Sequence, residues 1–181
     1  QTITVAVGQS IQDAINAVPS GGTVAIAAGT FPLTGPLDPG GRAMTIRGPT
    51  DADGNPTAIL DGQGSTQVLI CQNGETVETV FENLVIQNGS AGEGGGMYNL
   101  EASPTLTNCT FTSNSGGGMH NYLESSPTLT SCTFTSNSGG GMYNFDGSSP
   151  TLTNCAFTSN SASVGGGMIN GNSSDPTLVG C

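Results

Sequence analysis

Few residues of this chain can do acid–base, nucleophilic or metal chemistry, and their spacing keeps them apart. Only 8% of the 181 residues are charged: Arg42 and Arg47 are the only basic residues, His120 is the lone histidine, and there are 13 carboxylates. Cleaving a polysaccharide takes a positioned base, usually beside cation-binding acids, or a cluster of carboxylates around the glycosidic bond. Arg42 and Arg47 lie early, and no later segment adds a base except His120. That histidine shares its place with Tyr98, Tyr143 and Ile169, which reads as a surface position. Glu101, Glu124, Asp146 and Asp175 recur in one variable turn and read as a solvated acidic edge. Asp51-Ala52-Asp53-Gly54-Asn55 has the first ligands of a calcium loop but lacks the later bidentate Glu. The same residue types make an ordinary turn. No catalytic residue, metal ligand or cofactor is expected from these groups.

What must position them is a repeat. Ser-Pro-Thr-Leu-Thr begins at Ser103, Ser126 and Ser149, 23 residues apart, and a clipped copy, Asp175 to Cys181, ends the sequence. Gly-Gly-Gly-Met-x-Asn separates the copies, ending at Asn99, Asn121, Asn144 and Asn170. A fixed period in this range means stacked units that bury apolar side chains against their neighbours. Good helix formers are nearly absent. Apolar residues alternate with threonine instead: Leu106, Cys109 and Phe111 among Thr105, Thr107, Thr110 and Thr112, broken once at Asn108. Period two predicts strands, and Asn tolerates the left-handed bend between them. The spacing predicts an all-β chain, a single-stranded parallel β-helix with three short strands per ~23-residue coil.

Columns follow by counting. Leu106, Leu129, Leu152 and Leu178 are expected to stack inside, as are Phe111, Phe134 and Phe157, and Met97, Met119, Met142 and Met168. Cys109, Cys132, Cys155 and Cys181 form a fourth inner column, and the first three read as a reduced, buried ladder because parallel side-chain vectors fit disulfide geometry poorly, while the redox state of Cys71 and Cys181 stays open. Asn99, Asn121, Asn144 and Asn170 predict one amide ladder, and Asn114, Asn137 and Asn160 another. Asn108 is expected to be buried in its bend, so of the Asn-x-Ser/Thr matches at Asn88, Asn108 and Asn172 the middle one reads as accidental.

One domain, 1–181, is expected: an N-terminal strand and capping helix over 1–22, irregular coils over 23–90, and regular repeats over 91–181 with the last coil incomplete. Thr2 to Val7 alternates as a strand. Ser10 is an N-cap, and Ile11, Ala14, Ile15 and Val18 make an apolar helix face to lid the first coil. The net charge of −11 opposes binding to nucleic acid and to anionic membranes, and no apolar run is long enough to span a bilayer. A chain opening on Gln1 reads as exported with its signal removed.

Ser10 to Ile15, the Gly21-Gly22 turn, a strand and Ala28-Gly29-Thr30-Phe31 resemble the opening of pectin-lyase-like right-handed β-helices. Phe-x-x-Asn (Phe111/Asn114, Phe134/Asn137, Phe157/Asn160) beside Gly-Gly-Gly-Met resembles the repeats of polymorphic outer-membrane proteins and related bacterial surface β-helices. It departs by having Gly where those repeats often carry Ala, and Met where they carry a branched aliphatic. The resemblance implies a right-handed coil and an exported, surface-associated setting. Many pectin-lyase-like proteins cleave polysaccharides, but the groups for that are not assembled in this sequence.

The reading is therefore a non-enzymatic extracellular or cell-surface rod that associates with itself head-to-tail into a filament. Its subunit contact is expected to use Thr2, Ile3, Val5 and Val7 of one copy with Pro176, Leu178 and Cys181 of the next. A fragment of a larger bacterial surface adhesin fits the ragged end equally. Polysaccharide binding or degradation, and ice binding by the arrays Thr105/Thr107, Thr128/Thr130 and Thr151/Thr153, are the alternatives.

Overall fold

Each repeat closes one turn because two kinds of residue break its strands at fixed places. Asn83, Asn108 and Asn154 hold φ of 54°, 51° and 53°, the left-handed region that Asn tolerates better than most residues. Each of these bends turns the chain out of one sheet and into the next. The computed structural model describes all residues, 1–181. In chain order the elements are β1 (Thr2–Val5), α1 (Ile11–Ala17), β2 (Gly22–Ile26), β3 (Gly29–Pro32), β4 (Met44–Arg47), β5 (Ala58–Asp61), β6 (Leu69–Cys71), β7 (Thr79–Glu82) and β8 (Leu84–Gln87). The regular coils add β9 (Met97–Leu100), β10 (Thr105–Thr107), β11 (Thr110–Thr112), β12 (Met119–Tyr122), β13 (Thr128–Thr130), β14 (Thr133–Thr135), β15 (Met142–Asn144), β16 (Thr151–Thr153), β17 (Ala156–Thr158), β18 (Met168–Asn170) and β19 (Thr177–Val179).

Three parallel sheets run the length of the molecule. The first orders β1-β2-β4-β7-β10-β13-β16-β19, the second β3-β5-β8-β11-β14-β17, and the third β6-β9-β12-β15-β18. The register is the one the period predicts: Leu106 pairs with Leu129, Phe111 with Phe134 and Met119 with Met142. Phe81-Glu82-Asn83-Leu84 joins the same columns, since Leu106 pairs with Phe81 and Thr110 with Val85.

The core is a column of 32 buried apolar residues. Phe111 and Phe134 stack at 4.7 Å and 5°, and Phe134 and Phe157 at 4.8 Å and 6°. These spacings match the ~4.8 Å between strands, so identical rings at one coil position meet face to face. Glycine in the Gly-Gly-Gly-Met turn has a steric cause. A methyl group on Gly118 would lie 2.6 Å from the Gly141 carbonyl oxygen and 2.9 Å from the Phe134 ring. The next coil's backbone already occupies the space that alanine needs.

At the N-terminal end α1 lies over the first coil. Ser10 caps it, its Oγ accepting from the Asp13 amide at 3.1 Å, and Ile11, Ala14 and Ile15 are buried. Arg42 closes its other end, donating to Ile15 O at 2.7 Å and to Val18 O at 2.9 Å. A guanidinium at a helix C-terminus satisfies carbonyls that lack helical partners.

The structure corrects several expectations. The first strand stops at Val5, because Gln9 folds back to bond both Ala6 N and Ala6 O and Gly8 turns at φ 88°. Val7 is exposed, while Val5 belongs to the core rather than to a free interface. Leu178, Asn170 and Cys181 are not interior: Leu178 is 48% exposed and the other two are also exposed. Phe157, Met168 and Asn160 are only half-buried. All lie in the last coil, which has a neighbour on one side only. Asn108 is half-buried, since its bend sits at the surface corner between two sheets.

Replacing Phe134 with Ala should destabilise the protein by about 3–5 kcal/mol, because a ring with stacking partners on both faces leaves a cavity. Thr135→Ala should stay within about 0.5 kcal/mol. Urea melts of both variants check the inside–outside register, and equal shifts would contradict it.

Candidate functional site

The interior asparagine and serine side chains bond from coil to coil. Asn99 donates to Asn121, Asn121 to Asn144 and Asn144 to Asn170, each at 2.8 Å. In the second ladder Asn114 Nδ2 donates to Asn137 Oδ1 at 3.0 Å and to Ile86 O at 3.1 Å, and Asn137 repeats this to Asn160 and Phe111 O. Two hydroxyl ladders went unread in the sequence. Ser125 Oγ accepts from Ala102 N and Ser148 Oγ from Ser125 N, both at 3.1 Å, while Ser103, Ser126 and Ser149 link the adjacent position. The doublet before each proline (Ala102-Ser103, Ser125-Ser126, Ser148-Ser149) was the available signal.

The thiols form the predicted column and none is paired in a disulfide. Cys109, Cys132 and Cys155 donate to carbonyls two residues back at 3.5 Å. Hydrogen bonding to the Cys109 thiol, then burial, pushes the Cys132 thiol well up; the Cys132 thiol and burial do the same to Cys155. Burial raises Cys71 as well. Cys181 is exposed.

On the outside of the third sheet the chain gathers its remaining aromatic residues. All three tyrosines, the histidine and Phe145 lie here: Tyr98, His120 and Tyr143 in one register column, Tyr122 and Phe145 beside it. His120 stacks on Tyr143 at 4.5 Å, and Tyr122 on Phe145 at 6.3 Å. The expected surface position of His120 is wrong: it is only 9% exposed, held between two tyrosines with the Gly94 and Gly117 turns folded close to it. Burial pulls its pKa down to about 4, so it is neutral near neutral pH. Burial, then Glu93, raises Tyr98.

The acidic turn residues do converge. Glu101, Glu124 and Asp146 come from successive coils, at φ 50°, 60° and 52°. With Gly74, Glu75, Thr76, Val77, Ser103 and Leu123 they line an axial groove of about 680 Å³. Glu75 is buried at its end, its carboxylate accepting from Gly41 N at 2.7 Å and Asn73 N at 3.0 Å. Asp146 accepts from Asn172 Nδ2 at 2.7 Å.

Other chemistry-bearing groups stand apart from this groove. The Asp51 loop is a turn tied to a later coil by Asn108 Nδ2, which donates to Gly54 O at 2.9 Å: within it Asp51 accepts from Asn55 and Asp53, and the Asn55 side chain first among these bonds holds its pKa low. Burial alone would raise Asp61, but bonds from Gln87, Gln63 and Asn88 outweigh it and hold it below the usual carboxylate range. No group of three or more His, Cys, Asp or Glu residues is placed to hold a metal ion. The amides of Asn88, Asn108 and Asn172 each donate to a neighbouring side chain. The threonine arrays are in register over β10, β13 and β16, and Val179 breaks them on β19.

This geometry, three parallel sheets wound as one coil with inward ladders, defines a parallel β-helix. A family model described as "Right handed beta helix region" matches residues 57–181, and the chain belongs to that family. No curated protein and no solved structure matches the chain. The right-handed parallel coil expected from the repeats is therefore the fold of this protein, and it is consistent with the pectin-lyase-like resemblance of Ser10–Phe31.

Two outcomes follow for the titratable interior. Native alkylation should label Cys181 and leave Cys71, Cys109, Cys132 and Cys155 unmodified until denaturation exposes all five thiols; fast native labelling of Cys132, read by mass spectrometry, would contradict the buried column. For His120 the folded pKa of about 4 lies below the ordinary 6.5, so the unfolded chain binds the extra proton between them. Stability is full above 6.5 and falls as pH drops toward about 4. Asp51 and Asp61, held below 3.8, lose their contribution only at lower pH. Melting temperatures should fall across the 6.5-to-4 window in the wild type, and His120→Phe should flatten that fall.

Proposed function

We propose that this chain is a structural β-solenoid of the exported, cell-surface kind: a rigid rod with a hydroxyl- and amide-rich coat, and not a catalyst. The observation that carries this reading is the commitment of its polar chemistry to the stack. The Asn99 and Asn114 ladders, the two serine ladders and the cysteine column all bond from coil to coil. Arg42 is spent on the end of α1, and His120 is buried and neutral. Paired buried networks rigidify a single arrangement, and in the two asparagine ladders Asn99 Oδ1 alone is buried without a partner. The coat suits an extracellular rod, since charged residues are 8% of the chain and Thr, Ser, Asn and Gly cover the coils.

Head-to-tail stacking is part of this proposal. β1 and β19 lie at opposite edges of the same parallel sheet, so a copy seated on β19 would continue that sheet through its own β1. An unpaired strand edge is a template for another strand.

Purified protein should release no reducing ends or unsaturated products from neutral and acidic polysaccharides, and protease shaving of intact source cells should remove it. Product release that is lost on purification of an inactive point variant would overturn the non-catalytic reading. Sedimentation of the wild type against a chain lacking residues 1–8 tests stacking: the wild type should form larger, concentration-dependent species and the shortened chain should not.

A further inference from the structure

We propose that the axial groove between the third and first sheets is a docking surface for an extended basic segment of a partner protein, held through lysine or arginine side chains. This goes beyond the rod reading, which needs no such groove.

Six large hydrophobic residues are exposed: Val7, Val77, Leu123, Val164, Leu178 and Val179. Val7 sits in the N-terminal turn, Val164 in the inserted turn of the last coil, and Leu178 and Val179 on β19. The two that remain, Val77 at 59% and Leu123 at 41%, both line this groove in the middle of the rod. Val77 is held in place, its carbonyl accepting from Thr105 Oγ at 2.9 Å. Val77 and Leu123 give a groove of otherwise polar lining two apolar points, on coils either side of Glu101.

Charge says what kind of occupant fits. Glu101, Glu124 and Asp146 line the groove, with Glu75 buried at its end, and no basic residue does. Glu101, Glu124 and Asp146 occupy left-handed backbone positions, where Asn or Gly would be easier, on successive coils where like charges repel. At the opposite corner of the same coils, Asn and Ser fill the equivalent left-handed positions at Asn108, Ser131 and Asn154. Within the fold nothing neutralises this column, since Asp146 alone receives a side-chain donor, Asn172. A lysine or arginine matches both halves of the surface. Successive aliphatic stems can cover Val77 and Leu123 in turn while their charged heads reach the carboxylates. The net charge of −11 would steer such a segment toward the rod.

The test is fluorescence anisotropy with labelled hexa-arginine at physiological salt, using the full chain. One variant carries Glu101→Gln, Glu124→Gln and Asp146→Asn. A control removes the same number of charges elsewhere, with Asp13→Asn, Asp53→Asn and Glu93→Gln. The groove variant should weaken binding at least about tenfold and the control less than about twofold, with Leu123→Ser weakening it severalfold. Equal losses in the two charge variants would overturn the proposal, since binding would then follow net charge alone. No binding by the wild type would overturn it too. So would a chitosan oligomer or calcium ions binding at the groove where hexa-arginine does not. Unchanged melting temperatures in all variants certify folding, and they keep the rod reading standing whichever way binding falls.

Discussion

Everything in this molecule depends on one geometric demand: a residue must tolerate its own kind ~4.8 Å above and below it. Phenylalanine meets the demand by stacking flat, at 4.7 Å between Phe111 and Phe134. Asparagine meets it by donating to the next asparagine, at 2.8 Å along the Asn99 column. Glycine meets it at Gly118 by presenting nothing to the passing backbone. A residue type that cannot neighbour itself, such as a carboxylate, is absent from these inner columns. The low charge of the chain is thus tied to its architecture.

The same demand explains how a narrow core holds. Thirty-two apolar residues are drawn out in a line, so each contributes to the neighbouring coils alone. Amide and hydroxyl ladders fill the corners where strands break and backbone groups lose their sheet partners. Left unpaired, each such group would carry a desolvation cost. Asn114 shows the fit: its side chain serves the next coil's amide, the Ile86 carbonyl and the Gly89 N–H at once.

The fold was legible because the demand writes itself as a period. Leu, Phe, Met, Cys and Asn columns, the bend at Asn108 and the helix cap at Ser10 could each be placed by counting. What was not legible lies where neighbours from other coils decide the environment. His120 takes its burial from Tyr98, Tyr143 and two glycine turns, none adjacent to it in sequence. The groove was missed because Val77 sits in an irregular coil, and because Asn99 to Asn121 is one residue shorter than Asn121 to Asn144, which shifts Leu123 against the count. Counting also assumes a neighbour on both sides, so Leu178 and Cys181 were placed inside although their coil is covered on one face only.

The Asn99 ladder has a direction. Every Nδ2 donates toward the C-terminal coil and every Oδ1 accepts from the N-terminal one, and at the start Asn99 Oδ1 is buried without a partner, with Cys71 paired opposite it. Turning over a single amide would set oxygen against oxygen on one side and N–H against N–H on the other. The row can therefore reverse only as a whole, and its dipoles add along the axis instead of cancelling. The protein is in this sense a vector: its two ends differ electrically as well as in shape, by a polarity carried on side chains and independent of any charged residue.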